Sequence, residues 1–105
     1  MSTDFKDFKG KIILHGCLTA QEGHGDKIQA ILKEIQAEAI TDKEPGCLTY
    51  RVNRFGNNFL VFEEYENVPA ITAHFEKAGF KKLVEEVKKG TSVAKGPEIT
   101  YYEEV

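Results

Sequence analysis

The sequence predicts an α+β fold of element order βαββαβ, on three observations. A β-rich run at 11–20 gives way to helical spacing at 27–41. Two alternating runs, 47–55 and 59–65, flank a glycine–asparagine turn. A second helical stretch then leads into an alternating tail at 98–105. A hairpin between two helices, closed by outer strands, builds an antiparallel sheet with helices on one face.

The first strand, "KIILHGCLTA", ends in the polar stretch "QEGHG", where His24 between two glycines is expected in solvent. Asp26 precedes Ile28, Ile31, Leu32, Ile35 and Ala39, the spacing of one helix face. Asp26 with Gln29 is the expected capping box, which starts the helix near residue 27. Pro45 in "DKEPG" forbids continuation, so the helix should end near Thr41.

In "CLTYRVNRF", Leu48, Tyr50 and Val52 fall on one side and Thr49, Arg51 and Asn53 on the other. "GNN" supplies the hairpin turn into "FLVFEEY". Asn67 and Pro69 mark a helix start, Ile71, Phe75 and Ala78 form its apolar stripe, and Gly79 should interrupt it. Phe80, Leu83, Val84 and Val87 continue to a stop at Gly90. "TSVAKGP" reads as a loop before the last strand, "EITYYEEV".

With 105 residues the chain suits a single domain, its core at about 11–104. Hydrophobic residues at 41% and charged residues at 30% exclude disordered and membrane-spanning classes. "MSTDFKDFKGK" is too polar for a signal peptide, so cytoplasmic residence is expected. A net charge of −3 advertises no nucleic-acid partner. Cys17 and Cys47 form no C-x-x-C motif and are expected as reduced, buried small hydrophobes. The run "KKLVEEVKKG" offers i,i+4 pairs, Lys81–Glu85 and Glu85–Lys89, on a solvated helix face.

"RFGNNFLVF" echoes the aromatic strand motif that stacks RNA bases. The echo fails on chemistry: glycine and aromatics are out of register, Glu63 and Glu64 follow at once, and Leu14 stands where the first strand needs a stacking ring.

On the third strand Phe59 and Val61 face one way and Leu60 and Phe62 the other, so both sheet faces are apolar. Helices on one side cover only one of them, and a homodimer packed sheet to sheet is the expected cover for the other.

"EPGCLTYRV", then "FLVFEEYENVPAITAHF", then "GF" resembles the antibiotic biosynthesis monooxygenase family of small dimeric α+β barrels. Pro45, Gly46, Cys47 and Tyr50 match, as do Phe59, Glu63, the Ala73–His74 pair and Phe80. The resemblance runs over about 11–104 and is densest at 44–80. It implies a ferredoxin-like sheet in a dimeric barrel, and oxidation of a quinol, polyketide-like or other small electron-rich substrate by O2 without flavin, haem or metal. Two positions depart from the pattern. Tyr65 stands where many members have tryptophan, and Gly16 where oxygenase members often place asparagine. A haem is therefore not carried over.

Without a cofactor the substrate itself must be the reductant. Deprotonating a phenol, hydroquinone or enol gives an anion that passes an electron to O2, which requires a base, a dry pocket and a proton source. His74, with a reference pKa of about 6.5, is the candidate base. Tyr65 and Tyr50 are candidates to hold the substrate oxygen or supply a proton. Glu63 lies two residues before Tyr65, hence on its strand face, and is placed to orient His74, unless it caps the next helix or pairs with a lysine. His15 is expected in the pocket or on the dimer face, and Phe80 against the substrate. The same base could instead serve an isomerase or lyase working through an enolate, or the domain could bind a small molecule without catalysis.

Overall fold

A computed structural model describes residues 4–105. Strand β1 (Ile12–Ala20) is followed by α1 (Gly25–Ala39), β2 (Cys47–Phe55), β3 (Asn58–Tyr65), α2 (Val68–Phe75), α3 (Ala78–Lys89) and β4 (Val93–Glu103). The four strands form one antiparallel sheet in the order β2-β3-β1-β4, the ferredoxin-like arrangement that the element order predicts. The second helical region is broken into two helices, as expected, though not at Gly79.

Alternation decides which residues meet the helices. Leu14, Leu18, Tyr50, Phe59, Val61 and Tyr65 point inward and are buried with Ile28, Ile31, Leu32 and Ile35 of α1, Ile71 of α2 and Leu83 of α3. Gln36 Nε2 donates to the Tyr50 carbonyl over 2.9 Å and fixes α1 across β2. Lys27 and Ser92 both hold the buried Glu86 carboxylate, at 2.7 Å each, joining α1, α3 and the start of β4.

Several local expectations are corrected. The capping box does not form: α1 begins at Gly25 with half-buried His24 at its N-cap, while Asp26 and Gln29 both take Arg54 Nη1, at 2.8 and 2.9 Å. Gly79 does not interrupt the helix. The break falls at Glu76–Lys77, Ala78 is exposed, and Gly79 lies in the first turn of α3. There a Cβ would stand 3.1 Å from Ile35 Cγ1, so glycine lets α3 pack close to α1. In place of the expected Lys81–Glu85 and Glu85–Lys89 pairs, α3 carries Lys89–Glu86 at 3.4 Å within the helix and reaches Glu34 and Lys27 on α1 through Lys82 and Glu86.

Leu48 does not share the inward side with Tyr50. A register shift between Cys47 and Thr49 makes Leu48 the extra residue of a bulge, 45% exposed. Cys47 packs against both core clusters, whereas Cys17 is exposed on the outer sheet face, so only one of the two free thiols is a core group. β4 starts five residues earlier than the sequence suggests, because "VAKGP" pairs with β1 around an irregularity between Cys17 and Thr19.

The outer face carries Ile13, His15, Leu60, Phe62 and Tyr102. Ile13, Leu60 and Phe62 alternate with buried neighbours; Leu60 is 39% and Tyr102 46% exposed. His15 sits there between Phe62 and Tyr102, at centroid distances of 5.4 and 5.6 Å.

Candidate active site

Glu63 is the centre of the site. It lies mid-strand on β3, opposite Leu14 of β1 and Tyr50 of β2, so alternation aims its carboxyl inward beneath the helices. It is 6% exposed and lines a small cavity with Leu14, Gly16, Tyr50, Phe75 and Phe80. Leu18, Leu32, Val61, Leu83, Pro97 and Ile99 complete an otherwise apolar wall around about 40 Å³. A Cβ built at Gly16 would meet only Leu14, at 3.7 Å, so the glycine leaves room on the β1 side.

His74 and Tyr65 stand behind Glu63 rather than on the cavity wall. The Tyr65 hydroxyl donates to Glu63 Oε1 over 2.5 Å. His74 Nε2 lies 3.5 Å from the same oxygen, and its Nδ1 is 2.6 Å from Glu44 Oε1. A carboxylate only accepts, which assigns the ring proton to Nδ1 and leaves a lone pair on Nε2 facing Glu63. His74 is 1% exposed and is wedged between Tyr65 and Tyr50, at 5.2 and 5.7 Å between ring centres.

Local sequence explains the delivery of His74. Asn67 accepts from the Ala70 N–H over 3.0 Å, and proline in the first turn fixes the start of α2. Two turns later His74 lies on the buried side with Ile71. Gly46 allows this approach: a Cβ there would collide with Ala70, so any larger residue would push α2 off the strand.

The electrostatics follow from burial. Desolvation pushes the Glu63 carboxyl up to about 8; the Tyr65 hydrogen bond opposes this and the Glu44 charge adds to it. Burial lowers the His74 pKa against the raising effect of its bond to Glu44. Tyr65 and Tyr50 are both raised, by burial first and by Glu63 next, so each stays a phenol donor. Burial and the two carboxylates push the Cys47 thiol up to about 12, which removes it as a nucleophile at neutral pH.

The sequence-derived set is thus divided. Tyr50, Glu63 and Phe80 line the cavity, and His74 and Tyr65 back it. His15 is excluded from the cavity, because odd-numbered residues of β1 point to the other face. Glu63 neither caps α2 nor pairs with a lysine. Glu44 was legible only as part of a turn; nothing in "DKEPG" signals that its acid folds inward to 7% exposure. Among the described residues, no group of three or more His, Cys, Asp or Glu is arranged to hold a metal ion. Among the same residues, no helix is long and apolar enough to cross a membrane.

A ferredoxin-like sheet with one buried carboxyl at an apolar cavity defines a small α+β domain with its polar groups gathered beneath the helices. The antibiotic biosynthesis monooxygenase family model matches residues 11–86, and the chain belongs to that family. Among solved structures, one from Caulobacter crescentus, provisionally described as an antibiotic biosynthesis monooxygenase, is 25% identical with a TM-score of 0.82. The match covers 93% of this chain and 92% of that one. A second with the same provisional description, from Deinococcus radiodurans, is 28% identical with a TM-score of 0.75, over 90% and 92% of the two chains. A protein from Pseudomonas aeruginosa shares the fold at 18% identity, TM-score 0.80, over 93% and 97%. No curated protein matches the chain.

Proposed function

We propose that the protein is a cofactor-independent monooxygenase, with Glu63 as the base that ionises a small phenolic, quinol or enolic substrate. The observation that carries this reading is a single carboxyl, opposite Tyr50 in the sheet, lining a cavity otherwise walled by apolar side chains. At about 40 Å³ the cavity must widen to admit a ring, whose apolar edge would then rest on these side chains and whose oxygen would meet the only lining groups able to take or share a proton.

The Glu63 carboxylate accepts the substrate O–H proton, and Tyr50, as a phenol donor, stabilises the resulting anion. The anion passes one electron to O2, and the radical pair recombines at a ring carbon as a peroxide. Protonation of the distal oxygen and loss of the hydrogen on the same ring carbon as a proton break the O–O bond: one oxygen atom stays on the substrate as a carbonyl, and the other leaves as hydroxide that takes up that proton to become water. A quinol then becomes a hydroxyquinone with atoms and electrons balanced. The apolar wall keeps water from the radical pair. His74, which the sequence nominates as the base, acts through Glu63, since Nε2 reaches the cavity only across that carboxyl.

Oxygen uptake with a panel of small quinols, with no flavin or metal added, tests the proposal. Stoichiometric O2 consumption that follows the wild-type protein is expected. Turnover at the same rate under argon would contradict it and indicate enolate chemistry without oxygen.

We also propose that a second copy of the chain covers the outer sheet face, where Ile13, Leu60, Phe62 and Tyr102 gather. Light scattering should give twice 11.8 kDa for the wild type. Leu60→Glu buries a charge in that interface and should give a mass near 11.8 kDa with helix content unchanged. A wild-type monomer would contradict this part.

A further inference from the structure

Glu63 lines the inner cavity, and Glu44 lines a separate groove of about 290 Å³ on the surface, together with Lys43, Pro45, Gly46, Glu66 and Asn67. His74 joins the two carboxyls, with Nε2 3.5 Å from Glu63 and Nδ1 2.6 Å from Glu44. We infer that Glu63, His74 and Glu44 form a proton relay from the cavity to the surface groove, with Glu44 as its water-side end. The inference rests on the reading of Glu63 as the cavity base.

The need for such a route comes from the site itself. A carboxyl that burial keeps protonated near neutral pH must shed its proton before it can take one from substrate. A substrate seated in the cavity blocks release on that side. Behind Glu63 lies His74, 1% exposed, and beyond it Glu44. The 3.5 Å gap to Nε2 exceeds a hydrogen bond but lies within reach of a small rotation of the carboxyl.

The steps balance. Glu63 gives its proton to Nε2 of His74, the ring releases the Nδ1 proton to Glu44, and Glu44 passes it to water in the groove. His74 is then left protonated on Nε2. Glu63 gives the proton it took from the substrate to the peroxide, and the relay then runs in reverse to reload it: Glu44, re-protonated from the groove, returns one proton to Nδ1, and Nε2 returns one to Glu63. The original tautomer is restored without a ring flip. One proton out and one back matches the conversion of a quinol and O2 to a hydroxyquinone and water, which releases none overall.

The groups facing the relay agree with this role. Tyr50 and Cys47 from β2 and Tyr65 from β3 stay protonated, and the charges of Glu38 and Lys77 act on His74 from farther out with opposite signs. The ionised Glu44 stabilises the transient imidazolium, as a carboxylate partner does for a catalytic histidine.

The test uses the intact protein labelled with 15N-histidine. Glu44→Gln keeps an oxygen for Nδ1–H, and so the ring's position and tautomer, but cannot carry a proton. Exchange of the His74 ring proton with water should slow at least tenfold in Glu44→Gln and recover in part in Glu44→Asp. Oxygen uptake with a quinol should fall by about the same factor in kcat, with KM unchanged. Equal ring-proton exchange in wild type and Glu44→Gln would overturn the relay, as would slowed exchange with undiminished kcat. Oxygen uptake absent from the wild type itself would instead overturn the monooxygenase reading, and the exchange comparison would still decide whether the relay exists.

Discussion

Glu63→Gln is expected to lower quinol turnover by roughly a hundred- to ten-thousand-fold while leaving the protein folded. The amide fills the same space and still accepts the Tyr65 hydroxyl, so the cavity persists and only the base is lost. In the wild type the competent form is the carboxylate, whose pKa is about 8. kcat/KM should therefore rise about tenfold per pH unit towards pH 8 and level off above it, and this dependence should vanish in the variant.

The same substitution has a second expected result, of opposite sign. A carboxyl whose folded pKa is raised from 4.5 to about 8 supports the fold fully below its unfolded value and loses that support as pH rises through the folded one. Glu63→Gln escapes this loss. Chemical denaturation should show it more stable than wild type by on the order of 4 kcal/mol at pH 8.5, and by less than about 1 kcal/mol at pH 5. Lost activity with gained stability separates a functional carboxyl from a structural one.

Gly96→Ala is expected to produce the largest loss of stability. Gly96 has a φ of +88°, and a Cβ there would lie 2.6 Å from the Cys17 carbonyl oxygen and 3.2 Å from Glu98 N. Both neighbours are backbone of the paired strands, so neither can swing aside. The backbone conformation together with the clash should cost about 2–4 kcal/mol, a fall in Tm of 10 °C or more for a chain this size. Gly90→Ala is the control. Its φ of +71° is also positive, but nothing lies within 4 Å of the added carbon. It should cost about 1 kcal/mol. Equal losses for the two would show that the close passage at Cys17 does not constrain the strand. Because Pro97 is part of the cavity wall, Gly96→Ala should also weaken substrate binding.

Gly96 also shows where sequence reasoning stopped. Alternation and helical spacing are local signals, and they located the strands, α1 and the inward face of β3 that carries Glu63. "VAKGP" reads as a loop because proline and glycine are poor strand formers, yet β1 pairs with it around an irregularity that absorbs both residues. Leu48 failed for the same reason: one extra residue at a bulge reverses a face, and a pattern of alternation cannot announce it. Gly79 looked like a breaker, whereas it is the place where α3 meets Ile35.

Of the residues the sequence singles out, Tyr50, Glu63, Tyr65, His74 and Phe80 lie together in the fold and His15 does not. Which of them fronts the cavity depends on how deep α2 sits over β3, and that depth is set by the contact of Gly46 with Ala70, a tertiary fact. Glu44 escaped because a turn acid is ordinarily solvated. Only the folded chain brings it to His74, thirty residues away in sequence.

The most direct test of the account is the titration of the Glu63 carboxyl in the substrate-free protein, followed by the chemical shift of its side-chain carbon in 13C-glutamate-labelled samples and assigned by its absence in Glu63→Gln. A midpoint near 8 is the result predicted for a buried base at an apolar cavity. A midpoint at the ordinary value of 4.5 would mean that Glu63 is solvated and ionised like a surface acid, and would contradict its role as the base.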